Sequence, residues 1–284
     1  MKKLLLCLCA LVVLDAQADV QITDDLGRSV TLTQPAQRVV SLVPHATELL
    51  YYIQAQDALI ATVRFADYPE AAKAITRVGD YNTVNTEAIL TLQPDLIIAY
   101  PDAPNRAQVD RLVALGMPVF FSDPQSFDSI ATALRDFGQL TGHNESAEAA
   151  AHDFETGIHT LADQFAERSE LSVFYEVWHQ PIYTLNGDSY ISDVIALCGG
   201  RNVFAELPVI SPQISIETVL AADPDVIVTD QGDQWLQWSR LRAVQHNALI
   251  QADSERLHRP TPSLLTAATQ LCADLDRIRA AYGD

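Results

Sequence analysis

The side chains of this chain that could do chemistry fall into four groups: loop histidines, a repeated pair of glutamates, a set of loop aromatics with one arginine, and cysteines. His45, His179 and His258 each fall in a loop expected at the cleft. Three imidazoles converging on one point would ligate a transition metal, whereas a neutral, hydrogen-bonded loop histidine is the commoner outcome. His152 and His159 lie seven apart on one helical face, too far along it to chelate together, and read as solvated. No G-x-S-x-G, G-x-x-x-x-G-K-[ST], helix-opening G-x-G-x-x-G or H-E-x-x-H occurs, so nucleophile-elbow, phosphate-loop, dinucleotide and zincin chemistry lack support. The enzymatic reading left open is a secreted metal-dependent enzyme using the three histidine loops.

Glu87 and Glu217 occupy equivalent places in two stretches that repeat each other. Asn85-Thr86-Glu87 opens a helix that ends at Pro94-Asp95 and is followed by the strand Leu96-Ile97-Ile98; Ser215-Ile216-Glu217 does the same through Pro224-Asp225 into Val226-Ile227-Val228. A first-turn Glu is stabilised by the helix dipole by about 0.3 to 1 kcal/mol, which accounts for either residue alone. The duplication adds something, because two lobes related by approximate symmetry would put two carboxylates on one outer face. Such a pair suits bidentate contact with arginines on a partner that is itself a two-fold dimer.

These groups must be positioned by short apolar strands alternating with amphipathic helices, the pattern of a parallel sheet wound with helices. After a hairpin-like lead over Val20 to Leu32 come the strands at Val39–Leu42, Leu59–Val63, Leu96–Ile98 and Val119–Ser122, with helices around Glu48–Ile53, Arg106–Leu115 and Ser126–Leu140. Asn144 caps a helix of some seven turns that runs to about residue 170 without a following strand at the usual distance. A second lobe then opens at Ser172–Trp178 and closes with a helical stretch around Trp235–Val244 and a last helix over Pro262–Tyr282. The fold expected is α/β, with two Rossmann-like lobes of parallel sheet (residues 19–143 and 171–284) bridged by one long helix (144–170) and a ligand cleft between them.

In open α/β sheets ligands sit beyond the carboxyl ends of the strands. The residues found there are Pro44 and His45, Asp67 and Tyr68, Tyr81 and Tyr100 in the first lobe, and Trp178, Tyr183, Asn186 and Arg259 in the second. Aromatics and prolines dominate and charges are few, which suits a large, partly flat ligand held between lobes as well as simple packing of loop bases.

Residues 1–18 combine Lys2-Lys3, the apolar run Leu4–Leu14 and Ala16-Gln17-Ala18, a secretory signal whose removal starts the mature chain at Asp19. Removal takes away Lys2, Lys3 and Asp15 and moves the formal net charge from -19 to -20. So acidic a surface repels nucleic acid and anionic membrane. Of the four cysteines only Cys198 and Cys272 survive cleavage, and an oxidising compartment favours a bond between them over two buried thiols.

The sequence resembles the periplasmic solute-binding proteins of ABC importers in which one long helix joins two α/β lobes, the group serving vitamin B12, haem and iron-siderophore uptake. The likeness is carried by Arg38-Val39-Val40-Ser41-Leu42-Val43-Pro44 with Thr47-Glu48-Leu49, by Asp67-Tyr68-Pro69, by Leu197–Phe204 and by Arg259-Pro260-Thr261-Pro262 ahead of Gln270-Leu271-Cys272. It is strongest to the cobalamin-binding members. In Val78-Gly79-Asp80-Tyr81, haem binders of the group place an iron-ligating Tyr at the Asp80 position, whereas cobalamin binders place a corrin-stacking aromatic at the Tyr81 position. His45 stands where a small polar residue is familiar, within reach of the corrin or its cobalt. The resemblance implies a monomeric periplasmic carrier with cobalamin as transported ligand and no cofactor of its own. It also implies a Cys198–Cys272 disulfide and docking of Glu87 and Glu217 onto arginines of a membrane permease dimer. A haem or iron-siderophore carrier of the same fold is the alternative.

Overall fold

A computed structural model describes residues 19–283; the expected secretory signal lies outside the described residues. Two short strands, β1 (Val20–Thr23) and β2 (Ser29–Leu32), pair antiparallel around a turn at Asp24–Gly27, as the hairpin-like lead suggests. β3 (Val39–Ser41) leads through Val43 into α1 (Pro44–Tyr52), with Pro44 in the first helical turn, where its missing N–H costs nothing. Then follow β4 (Leu59–Thr62), β5 (Thr76–Arg77), α2 (Thr86–Thr91), β6 (Leu96–Ala99), α3 (Arg106–Ala114), β7 (Val119–Phe121) and α4 (Phe127–Thr141). All five strands from β3 to β7 are parallel, in the order β5-β4-β3-β6-β7. The inner strand β6 is buried at every residue, as a strand covered by helices on both faces must be.

α5 (Asn144–Phe165) crosses to a second sheet of β8 (Leu171–Tyr175), β9 (Gly200–Asn202), β10 (Val226–Thr229) and β11 (Leu249–Gln251), also parallel, in the order β11-β10-β8-β9. At 22 residues α5 makes about six turns, ending at Phe165. Its buried face, Ala147, Ala151, Phe154, Ile158, Leu161 and Phe165, belongs to one apolar cluster that runs from β3 and α1 of the first lobe into β8 and β10 of the second. Packing of α5 on the last helix is close: a Cβ on Gly157 would stand 2.2 Å from Leu265 Cδ2, so a larger residue would require the Leu265 side chain to move.

The second lobe is completed by α6 (Tyr190–Leu197), α7 (Ile216–Ala222), α8 (Arg242–Gln245), α9 (Ser254–Leu257) and α10 (Leu264–Tyr282). Cys198 ends α6 and Cys272 lies within α10; the two are bonded, with Cα atoms 4.6 Å apart and both side chains buried. The helical stretch expected over Trp235–Val244 is not continuous. It divides into a 3₁₀ turn at Gly232–Trp235 and the single turn α8, because only Trp235, Leu241 and Ala243 are buried there and so short an apolar stripe cannot support a longer helix. No helix of the described residues is long and apolar enough to cross a membrane.

Candidate functional site

The carboxyl ends of β3, β4, β6 and β7 deliver Leu42, Val63, Tyr100 and Asp123 to one cavity of about 480 Å³. Residues of the second lobe close it: Tyr190 from the start of α6, and His258, Arg259 and Pro260 from the loop between α9 and α10. Another concavity of similar size, about 450 Å³, is formed by Asp230–Gln234 and Leu249–Gln251, within one lobe and without an aromatic side chain. The interlobe cavity is the one that matches where such sheets bind ligands.

Five of the ten residues that the sequence places beyond the strand ends, Pro44, His45, Tyr81, Tyr100 and Arg259, line this cavity. Two more lie in the loop that continues from Phe65, a lining residue. Asp67 Oδ1 accepts from Arg77 Nη2 at 2.7 Å, and the Tyr68 ring lies under the Arg259 guanidinium, 5.6 Å from ring centroid to Cζ. The remaining three lie outside the lining. Trp178 is 61% exposed and donates its indole N–H to the Gln180 carbonyl at 3.0 Å, and Tyr183 pairs its backbone with Trp178 and Gln213. Asn186 is buried and spends its amide on Asp188 Oδ2 and the Leu207 carbonyl.

Tyr81 is held out from a rigid loop. Gly79 forms a bridge with Val84, and a Cβ there would meet the Thr83 carbonyl at 2.3 Å, so only glycine lets the strand return this tightly. Asp80 Oδ1 accepts from the backbone N–H groups of Thr83 and Asn82, which hold that carboxyl below its ordinary pKa. Asn105 Nδ2 donates to the Asp80 and Tyr81 carbonyls. The backbone is therefore fixed while the Tyr81 side chain stays 54% exposed.

Phe65, Tyr100 and Tyr190 join Tyr81 in the lining, although the sequence did not single out Phe65 or Tyr190. Phe65 is 75% exposed with a left-handed φ of 66°, a conformation unfavourable for a bulky side chain. It precedes the Asp67-Tyr68-Pro69 motif by two residues. Burial, with Asp123, Asp102 and Tyr81 adding to it, pushes the Tyr100 hydroxyl up to about 12, so it remains a neutral donor. Tyr190 starts a helix and reads in sequence as a helical core residue, which it also is.

The three loop histidines go to three different partners. His45 Nε2 stands 3.1 Å from Ser122 Oγ, His179 Nδ1 2.8 Å from Glu176 Oε1, and His258 Nε2 2.9 Å from the Tyr175 hydroxyl. Burial lowers His45 to about 4 and lowers His258 as well, so both present neutral imidazoles to the cavity. Among the described residues no group of three or more His, Cys, Asp or Glu could hold a metal ion. The Ser122–His45 contact brings a hydroxyl to an imidazole, but Ser122 is fully buried and its oxygen is closed to a substrate. The lining presents aromatic faces, neutral hydrogen-bonding groups, the Asp123 carboxyl and the Arg64 and Arg259 cations.

Glu87 and Glu217 lie away from it, exposed in the first turns of α2 and α7. Asn85 caps α2 through the Ala88 N–H and Ser215 caps α7 through the Thr218 N–H, so both ends are built alike. The Glu217 carboxyl is held below its ordinary value by hydrogen bonds from Ser215 and from its own backbone.

Two parallel-sheet lobes, one bridging helix and an aromatic cleft between them define a solute-binding architecture, and residues 39–255 match the model of a family described as periplasmic binding protein. The chain belongs to that family. It is 38% identical to the vitamin B12-binding protein of Vibrio cholerae serotype O1 over 247 residues, covering 85% of this chain and 90% of that one. The vitamin B12-binding protein of Yersinia pestis (strain Pestoides F) is 37% identical over 250 residues, covering 86% and 88%. The crystal structure of the periplasmic vitamin B12 binding protein of Vibrio cholerae superposes with a TM-score of 0.80 at 37% identity, covering 86% of this chain and 98% of that one. A periplasmic heme-binding protein from Roseiflexus sp. RS-1 shares the fold at a TM-score of 0.75 and 23% identity, covering 86% and 99%.

Proposed function

We propose that this chain captures cobalamin, or a closely related corrinoid, in the interlobe cleft and delivers it unaltered to the permease dimer of an ABC importer. The observation that carries the reading is the exposed Tyr81, fixed on the Gly79–Val84 turn at the edge of a cavity to which both lobes contribute. A planar ring held in that way is suited to stacking on a corrin face. The 38% identity to a vitamin B12-binding protein supports the same ligand.

In this reading Pro44, His45, Tyr81 and Arg259 meet the ligand together with Phe65, Tyr100 and Tyr190. Asp67 and Tyr68 support them from the loop that continues from Phe65. Trp178, Tyr183 and Asn186 belong to a neighbouring loop group that reaches the ligand only where it extends past the cavity. The lobes are residues 19–143 and 171–284, with 144–170 connecting them. The protein works as a monomer in the periplasm after removal of residues 1–18, carries no cofactor of its own, and docks through Glu87 and Glu217 on permease arginines. Calorimetric titration with cyanocobalamin, haem and a ferric siderophore tests the ligand. The corrinoid should bind with one site per chain, and binding of haem or the siderophore in its place would refute the reading.

A further inference from the structure

Glu48 is 0% exposed, on α1 of the first lobe, yet its partners all come from the second lobe. Oε1 accepts from Thr261 Oγ1 at 2.7 Å, and Oε2 stands 3.1 Å from Arg259 Nη1. Ser263 adds a further hydrogen bond to this carboxyl and stands 2.8 Å from Thr261 through their hydroxyls. A buried carboxylate is costly to maintain unless its partners are all in place.

Among the described residues Arg259 is the only cation in the second-lobe part of the cavity lining, and its fork is occupied on several sides. Nε donates to the Glu255 carbonyl at 2.7 Å and Nη2 to Glu255 Oε1 at 2.5 Å, both from its own lobe. Glu48 and the Tyr68 ring hold the opposite side from the first lobe. The guanidinium thus bridges the two lobes at the cavity wall.

We infer that Glu48 is a positioning residue that holds Arg259 across the lobe boundary in the orientation in which it meets the ligand, so that ligand affinity and lobe placement are coupled through this pair. The ligand group it serves is an anionic or carbonyl oxygen, such as the phosphodiester or an amide of a corrinoid, and to that extent the inference rests on the proposed function.

Glu48→Gln keeps the volume and a partner for Thr261 but removes the charge that holds Arg259. The expected result is a cyanocobalamin Kd raised about tenfold with the unfolding midpoint nearly unchanged, and no further loss when Glu48→Gln is added to Arg259→Gln. In the ligand-free protein, Glu48→Gln should speed amide hydrogen exchange at residues 259–264, a readout independent of the ligand's identity. If Glu48→Gln does not fold, Glu48→Asp, which retains the charge and shortens its reach, should show the same pattern more weakly. Wild-type affinity and exchange in the variant, or losses that add fully to those of Arg259→Gln, would overturn the inference. Failure of the wild-type protein to bind cyanocobalamin, with the exchange effect intact, would refute the corrinoid reading and leave the cross-lobe coupling standing.

Discussion

Removing the Tyr81 ring should weaken corrinoid binding by about one to two orders of magnitude. A tyrosine presents about 200 Å², of which 54% is accessible at this position. A flat ligand pressed on one face would cover about half of that remainder, and a ligand wrapping the ring would cover all of it, roughly 55 to 110 Å². At about 25 cal/mol per Å² the loss in Tyr81→Ala is about 1.4 to 2.7 kcal/mol, or roughly 10- to 100-fold in Kd. The loop itself should survive, since it is held by Gly79, Val84, Asp80 and Asn105 and not by the ring. Tyr81→Phe keeps the face and should bind within about threefold of the parent, as an exposed hydroxyl contributes little. Calorimetric titration of the three proteins with cyanocobalamin, with circular dichroism as a check on folding, measures this. A Tyr81→Ala protein that folds and binds within twofold of the parent would refute the stacking argument.

Replacing both Glu87 and Glu217 with Ala should leave ligand affinity unchanged and reduce transporter-dependent uptake, measured in reconstituted vesicles; lost affinity would move these residues into the binding site. Reduction of the Cys198–Cys272 bond, which closes a loop of 74 residues, should cost up to about 4 kcal/mol in chemical denaturation, whereas coincident oxidised and reduced curves would show that it adds nothing. Asp136, half-buried on α4, has its carboxyl raised from 3.8 to about 6, first by burial and then by Asp25. The folded state therefore holds this proton more tightly than the unfolded chain: the contribution is full below about pH 4 and lost as pH rises through 6. Asp136→Asn should accordingly be more stable by about 1 kcal/mol at pH 7 after allowance for solvent screening, with the advantage vanishing below about pH 4. A pH-independent difference in denaturant midpoint would contradict that assignment.

The inner strands announced themselves because parallel strands covered on both faces read as unbroken apolar runs, as in Leu96–Ala99 and Val226–Thr229. The strands that escaped, β5, β9 and β11, are all at sheet edges, two or three residues long, and carry Thr76, Arg77, Arg201 and Gln251 among their few positions. One unpaired side and water access leave such strands no continuous apolar signal. Helix caps were legible at Asn85 and Ser215, each of which accepts from a first-turn N–H. Asn144, expected as a cap, lies one residue inside α5, with His143 before it.

The site was legible where a motif and a strand end coincide, as at Pro44-His45 and Val78-Gly79-Asp80-Tyr81. Phe65 was missed because its exposure follows from a left-handed backbone that nothing in a Val-Arg-Phe-Ala string announces. Tyr190 was missed because one helix-start residue both packs in the core and faces the cleft. Glu48 stood in the sequence as part of a Thr-Glu-Leu motif on a core helix, and its meaning appears only when a loop 211 residues later folds Arg259 against it.

The most direct measurement of the central claim is co-elution of the purified mature chain with cyanocobalamin on size exclusion, followed by visible absorbance of the protein peak and titration of its tryptophan and tyrosine fluorescence. One corrinoid per chain, with quenching that saturates at that ratio, is the expected result. A protein peak without corrinoid absorbance, no quenching and no heat of binding would contradict it.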